Sequence, residues 1–458
     1  MPRSRDVRPA RARYKQRGAS VSRRTHLRTP AMSFEISLEK LVYGGDALGY
    51  HQGRAVFVPR TLPGERWEVE LAREAKGVWH ARPLRLLVPS KERVEPPCPY
   101  FGGCGGCHYQ HLDAGRQAEI KRHLLVETLR RIGKISWDKE IPVHVAAPWN
   151  YRNQADIKVG RGSDGGIELG FFEHGSHRLH AVDICAILSP RLNSLLRELK
   201  TPAWRERLAA CFALELFADE ADERARVIFR GSFSSSEGEL LGKMALESLP
   251  GVVSVAVEGA RPSRTFGETE FAYRVGEFRY KVSPESFFQA SRFLLPELVE
   301  AVMRGGPLGA PGLALDLFAG VGLFSLPLAG RFERVVAVEG EPGAVADLAA
   351  NARAYSLGNL RAVGVPVSEF LRRFAERRPD LVVLDPPRAG VGRNSLRRLI
   401  ALAPAEIRYL SCHPPTLARD LGVLVEGGYQ LDSVEMFDFF PQTFHIETLI
   451  RLTRIANR

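Results

Sequence analysis

No apolar run in this 458-residue chain approaches the roughly 20 residues that a membrane-crossing helix needs, and no signal-type hydrophobic stretch follows the first residues. The expectation is a soluble, cytoplasmic protein with no membrane partner. Cysteine is also scarce. Of six in all, three fall within ten positions, an odd local number that, in an intracellular chain, argues against a disulfide framework. Excess charge is nearly absent once the start is set aside. Residues 1–31 carry ten Lys or Arg and one acid, so the formal net charge of +11 leaves 54 basic against 52 acidic residues for everything after them. That first stretch reads as a disordered basic arm attracted to a polyanion, as a transit segment, or as sequence ahead of a start at Met32.

A single hydrophobic core stops growing near 250 to 300 residues, so about two to four domains are expected. From Phe34 to Leu87, short alternating runs (Phe34–Leu38, Ala55–Val58, Trp67–Leu71, Val78–Leu86) are separated by Gly44-Gly45, Gly53 and Pro63-Gly64. That is the pattern of a small antiparallel barrel over residues 32–90. Next stand Cys98, Cys104 and Cys107 with four glycines between them, which lets the backbone wrap closely around a small object. Cys185 supplies a fourth thiol. Four thiolates suit zinc or an iron-sulfur cluster, and spacing alone does not separate the two. Cys211, among apolar neighbours, reads as core. Gln117–Arg131 reads as a charged helix ending before Gly133, and residues 91–280 as a mixed α/β middle domain.

The last third, 281–458, changes character. Leu313–Leu317, Val335–Val338, Leu381–Leu384 and Ile407–Leu410 are short, mostly apolar runs at helix-sized separations, as expected of parallel strands buried on both faces. The fold class is therefore α/β, with a C-terminal Rossmann-like doubly wound domain whose ligands sit beyond the carboxyl ends of its strands. At the first such end stands Asp316-Leu317-Phe318-Ala319-Gly320-Val321-Gly322, and Glu339 closes the next strand. A nicotinamide fingerprint would want a third glycine where Ser325 stands, so an S-adenosylmethionine site is favoured.

Two more strand ends carry chemistry. Asp385-Pro386-Pro387-Arg388 follows one apolar run, and Ser411-Cys412-His413-Pro414-Pro415 follows another, with Thr416-Leu417-Ala418-Arg419-Asp420 after it. The prolines stop the strand, so Cys412 is either a buried core thiol or a nucleophile presented on a loop. Glu447 lies in Phe444-His445-Ile446-Glu447-Thr448. Together these segments resemble the RNA (uracil-5-)-methyltransferase family, which closes with DPPR, SCNPxTLARD and HxE motifs in that order. His413 stands where that family has Asn. The barrel resembles a TRAM domain, an OB-fold RNA-binding module, through Gly45–Gly49, Val56–Pro59 and Pro63–Glu65.

The resemblance implies that Cys412 adds to carbon 6 of a uracil and that Glu447 removes the carbon-5 proton after methyl transfer. It implies that Gln289 (in Ser286-Phe287-Phe288-Gln289), Phe318, Gly320, Gly322, Glu339 and Asp385 surround S-adenosyl-L-methionine and the base. It likewise implies that Cys98, Cys104, Cys107 and Cys185 hold a 4Fe-4S cluster. Ser291, Leu323 and Val365 replace polar residues usual in the family, and weaker cofactor binding is expected from them. The implied partner is RNA, with 23S ribosomal RNA ahead of transfer RNA; a binding or assembly factor is the non-enzymatic alternative. A monomer is expected.

Overall fold

The computed structural model describes residues 32–259, 263–305, 312–375 and 378–455. The basic arm read at 1–31 lies outside the described residues. The first five strands, β1 (Ser33–Leu41), β2 (Asp46–His51), β3 (Arg54–Pro59), β4 (Arg66–Ala75) and β5 (Val78–Val88), close into a barrel in the order β1-β2-β3-β5-β4. Alternate residues, among them Ile36, Leu38, Val56, Val58, Val69 and Trp79, fill its interior. β2 does not stand out in the sequence because Gly45–Gly49 reads as turn material. Gly49 is instead a strand residue at a close crossing: a Cβ there would lie 2.3 Å from the Ser37 carbonyl oxygen of β1.

The chain then forms the cysteine loop and the helix Ala114–Gly133. That helix packs against helix Pro414–Glu426 of the last sheet, placing Leu124, Leu125 and Leu129 in its core. Gly133 permits the contact, since a Cβ there would come 2.7 Å from the Ala418 carbonyl oxygen. The two-residue strand β6 (Val143–His144) adds to the far edge of the same sheet. Strands β7 (Gln154–Arg161), β8 (Ile167–Phe172), β9 (Leu179–Ala181), β10 (Cys211–Ala218), β11 (Ala225–Gly231), β12 (Val252–Glu258) and β13 (Arg264–Gly267) make a second sheet in the order β13-β12-β11-β10-β7-β8-β9. Cys211 is buried in its core, as its apolar neighbours implied. A hairpin, β14 (Ala272–Val275) and β15 (Phe278–Lys281), leads into the last third.

There the four apolar runs are strands β16 (Leu313–Leu317), β17 (Arg334–Glu339), β19 (Leu381–Leu384) and β20 (Glu406–Ser411), joined by β18 (Leu360–Gly364), β21 (Tyr429–Phe437) and β22 (Glu447–Arg454). The order is β18-β17-β16-β19-β20-β22-β21-β6. β16 to β20 are parallel, and β22 enters antiparallel between β20 and β21. Successive residues of a strand feed opposite cores: Ala314 packs on one face, while Leu313, Leu315 and Leu317 pack on the other. Among the described residues no helix is long and apolar enough to cross a membrane.

Candidate active site and cysteine cavity

Cys412 stands one residue past β20, and the chain does not loop out there. Pro414 is the first residue of helix Pro414–Glu426, where its fixed φ and missing N–H cost nothing. The prolines thus start a helix as well as ending a strand, and Cys412 is half-buried in a two-residue connection. His413 is the N-cap, its Nδ1 accepting from the Thr416 amide at 3.4 Å. Burial, then the nearby Arg388 and Arg419, hold the imidazole below its ordinary pKa, so it stays neutral and able to accept.

The Thr416–Asp420 segment ties this helix to the loop after β19. The buried Asp420 carboxylate accepts from the Val391 amide (2.8 Å), the Tyr409 hydroxyl (2.8 Å) and Arg419 Nε (2.9 Å). Arg419 also donates to the Ala389 carbonyl at 2.8 Å, and Thr416 Oγ1 to the Arg388 carbonyl at 2.9 Å. The helix that follows Cys412, the strand β20 that precedes it and the loop after β19 are therefore tied together by one short segment.

Ser411 pairs with Thr448 across β20 and β22, which leaves Glu447, the first residue of β22, opposite Cys412 at the same sheet edge. Asp385, the residue after β19, lies beside them. Burial pushes the Cys412 thiol up to about 11; Glu447 and Asp385 add to the rise, and Arg388, within hydrogen-bonding reach of the thiol, opposes it. Burial, then Asp385, likewise raises Glu447 well above the ordinary carboxylate range, with Arg388 again opposing. Burial, then Asp316, raises Asp385. The site is thus a thiol and two carboxyls competing for protons around one exposed guanidinium, an arrangement suited to addition and proton transfer.

Along the same edge the turn after β16 takes three left-handed residues, Phe318 (φ 68°), Gly320 (φ 54°) and Gly322 (φ 98°). A Cβ at Gly320 would meet nothing within 4 Å, so the backbone there faces open space, whereas one at Gly322 would strike Leu348 at 2.6 Å. Glu339 fixes the turn, accepting from the Gly320 amide at 2.8 Å and from the Gly340 and Glu341 amides at 2.7 and 2.9 Å. The buried Asp316, pushed up to about 7 by burial, accepts from Ser325 Oγ, and among the described residues its Oδ1 has no partner.

Gln289 arrives from outside the sheet. Ser283 and Ser286 dock its segment on Asp347 through bonds of 2.6 and 2.7 Å, and the Ala290 carbonyl accepts from the Asn153 amide at 3.3 Å. Among the described residues the Gln289 side chain makes no hydrogen bond.

Cys98, Cys104, Cys107 and Cys185 line one cavity of about 110 Å³ together with Tyr100, Phe101, Phe171 and Arg152. Burial pushes the thiols of Cys104 and Cys107 up to about 11 and about 12 and raises Cys185. Among the described residues no three Cys, His, Asp or Glu side chains are grouped to hold a single metal ion. The cavity is not remote from Glu447. The amides of His108 and Tyr109 donate to the Gln442 carbonyl at 2.8 and 3.0 Å, and Gln442 exchanges two bonds (2.9 and 2.8 Å) with Gln117 of the helix Ala114–Gly133. Lys121 of that helix binds Asp438 at 2.7 Å and the Phe440 carbonyl at 3.0 Å; the Tyr151 hydroxyl donates to the Pro441 carbonyl at 3.0 Å.

A family model described as tRNA (uracil-5-)-methyltransferase matches residues 269–455. The 23S rRNA (uracil(1939)-C(5))-methyltransferase RlmD of Shewanella amazonensis is 34% identical over 420 residues, covering 90% of this chain and 94% of that protein. The chain belongs to the RNA (uracil-5-)-methyltransferase family. An uncharacterised RNA methyltransferase of Halalkalibacterium halodurans is 31% identical over 445 residues, covering 91% of this chain and 95% of its own length. Among solved structures, the tRNA (uracil-54, C5)-methyltransferase of Pyrococcus abyssi in complex with S-adenosyl-L-homocysteine shares the fold, with a TM-score of 0.71 at 23% identity over 92% of this chain and all of that one.

As a member of this family the chain departs from the usual motifs in ways the structure explains in part. His413 provides a helix cap, the service an Asn side chain also performs. Leu323 points into the apolar core with Phe324 and Leu326, and its carbonyl accepts from the Tyr280 hydroxyl at 3.0 Å. Ser291 is buried in a bridge to Arg152, and Val365 packs against the opposite core. The residues that sequence reasoning did not single out are those that hold the motif residues in place. Gln117, Lys121 and Gln442 are polar and buried, and that combination has no periodic signature.

Proposed function

We propose that this chain transfers a methyl group to carbon 5 of a uridine in 23S ribosomal RNA through a covalent adduct on Cys412. The observation that carries the reading is the opposition of Cys412 and Glu447 across the paired ends of β20 and β22, with Asp385 and Arg388 beside them. Arg388 opposes the rise in the thiol pKa and so favours the thiolate. The Cys412 thiolate forms a bond to carbon 6, and the electron pair of the uracil 5,6 double bond moves toward carbon 5 and the adjoining carbonyl. S-adenosyl-L-methionine, when bound, supplies an electrophilic methyl group on a sulfonium leaving group. Gly320, which faces open space, and Glu339, Phe318 and Gly322, which shape the turn, would hold that donor. Gln289, with an unpaired amide, and Asp385 would bind the base edge.

Glu447 then accepts the carbon-5 proton. The pair from that C–H bond re-forms the double bond as the Cys412–carbon 6 bond breaks and the thiolate departs. Its raised pKa makes it a stronger base than an ordinary carboxylate once it is ionised. The target nucleotide must leave its stack to present a ring face to Cys412. The closed barrel, an OB-type module, would grip RNA outside the pocket.

Cys98, Cys104, Cys107 and Cys185 fit a 4Fe-4S cluster. The four thiols ring one cavity, and four thiolates there would be the ligands such a cluster takes. Mass spectrometry of ribosomal and transfer RNA from cells lacking the gene tests the substrate. Loss of 5-methyluridine from 23S RNA is expected. Loss from transfer RNA alone would move the assignment to the transfer RNA reading, and loss from neither to a binding or assembly factor.

A further inference from the structure

The barrel does more than lie beside the catalytic sheet. Its first turn, Val42–Asp46, is closed by the Val42 amide donating to the Asp46 carbonyl at 2.9 Å and the Gly45 amide to the Val42 carbonyl at 3.2 Å. Gly44 and Gly45 take φ of 118° and 99°, and a Cβ at Gly45 would stand 3.2 Å from His108, so the turn is pressed onto the chain next to Cys107. Lys40 of β1 pairs with Glu127 of the helix Ala114–Gly133 and fixes the same approach.

The turn carries Tyr43 into the candidate active site. Its ring meets the ring of His413, the neighbour of Cys412, edge-on at 5.4 Å, and the ring of Phe444, three residues before Glu447, edge-on at 5.4 Å. Cys412, Arg388 and Glu447 all act on its phenol electrostatically, and burial followed by Cys412 raises its pKa, so the hydroxyl keeps its proton. Among the described residues that hydroxyl has no hydrogen-bond partner. A half-buried aromatic with a free donor, brought from the barrel against the neighbours of Cys412 and Glu447, is placed as a ligand-contacting group is placed.

We propose that Tyr43 contacts the target uridine, forming with Phe444 and His413 the wall that holds the base against Cys412, so that the barrel contributes a residue to the reaction site. The inference rests on the Cys412 reading above. It differs from a role in gripping RNA, because a grip acts before the base is seated and a wall acts on the seated base.

The test is the rate of covalent adduct formation between the full chain and 23S RNA transcribed with 5-fluorouridine, measured with S-adenosyl-L-methionine across a range of RNA concentrations. Tyr43→Phe keeps the ring contacts and removes only the donor; its rate at saturating RNA should fall about tenfold, with the half-saturating RNA concentration within about twofold of wild type. Tyr43→Ala should fall further in the same parameter. A change confined to the half-saturating concentration, or no change in Tyr43→Phe, would overturn the proposal and return the barrel to RNA grip alone. Failure of the wild-type chain to form any adduct would overturn the Cys412 reading and this inference with it. An adduct in wild type with normal saturated rates in both variants would remove Tyr43 only.

Discussion

Cys412 and Glu447 face each other one step beyond the Ser411–Thr448 pair, at the point where a parallel strand and an antiparallel strand end on the same edge of the sheet. The antiparallel entry of β22 is what makes this possible. In a wholly parallel sheet the start of a strand lies at the opposite edge from its neighbour's end, and a residue at the head of β22 would be a strand length away. The pairing predicts separable failures. Cys412→Ala should lose turnover by at least about a thousandfold and form no adduct with 5-fluorouridine RNA. Glu447→Gln should form an adduct with ordinary RNA that persists, because only proton removal is impaired. Denaturing gels of each variant after incubation with RNA and methyl donor read both outcomes, and rapid release of methylated RNA by Glu447→Gln would exclude it as the base.

A pH dependence follows from the thiol. With the Cys412 pKa pushed up to about 11, the thiolate is the minor form at neutral pH, and its fraction grows tenfold for each unit of rising pH until that value is approached. Adduct formation at saturating RNA should therefore climb from about pH 6 to about pH 9. Arg388→Gln removes a nearby cation that favours the thiolate, so its curve should shift to the alkaline side. A rate that is flat in pH in both proteins would show that thiol ionisation does not limit the step.

Asp420 makes a prediction about stability as well as rate. Its carboxylate holds the Val391 amide, the Tyr409 hydroxyl and Arg419, so Asp420→Ala leaves two buried donors, on the loop after β19 and on β20, unpaired and frees Arg419. The expected cost is about 3 kcal/mol in urea unfolding, with slower adduct formation because Cys412 lies between the strand and helix that Asp420 joins. Unchanged unfolding with normal adduct formation would mean that the loop after β19 is held by other contacts.

The catalytic edge was legible because parallel strands buried on both faces write continuous apolar runs, and each of Asp316, Asp385 and Cys412 ends or follows such a run. β2 was hidden because its glycines serve a close strand crossing, and β18 because an edge strand, half-exposed in the pattern at Leu360–Gly364, carries no such run. The partnership of Gln117 with Gln442, 325 residues apart, and the reach of Tyr43 are tertiary facts with no local signature. The cysteines also stand far from Glu447 along the chain, yet their loop bonds directly to the segment leading to it.

Burial at Leu323 argues for a different outcome from the one the motif alone suggests. Position 323 is one where an Asn is usual in the family, and restoring it would be expected to tighten S-adenosyl-L-methionine binding. In the structure the side chain is 8% exposed and packs in an apolar cluster. Leu323→Asn buries an amide there, at a cost of about 1 to 3 kcal/mol. Thermal unfolding should show a lower midpoint, and calorimetry should show no gain in cofactor affinity. Tighter binding at undiminished stability would mean that the side chain turns toward the glycine turn once it is polar.

The cysteine cavity offers the last test, and Cys185 is the residue to change. Cys107 is followed at once by His108 and Tyr109, whose amides hold Gln442, so a substitution at Cys107 would disturb that segment whether or not a cluster were present. Cys185 approaches the cavity from a loop held by Asn193, at 2.8 Å to the Cys185 amide and 2.9 Å to its carbonyl, and would act on the 98–107 loop through a shared cluster. Chain purified without air should be brown and carry about four irons, and Cys185→Ala should lose both. Hydrogen exchange should then quicken at the His108 and Tyr109 amides and through residues 438–446, while the turn at Gly320, held by Glu339, keeps its protection. Zinc without iron in the anaerobic protein would sink the cluster. Iron loss with unchanged exchange at His108 and Tyr109 would keep the cluster but sever it from the segment that delivers Glu447.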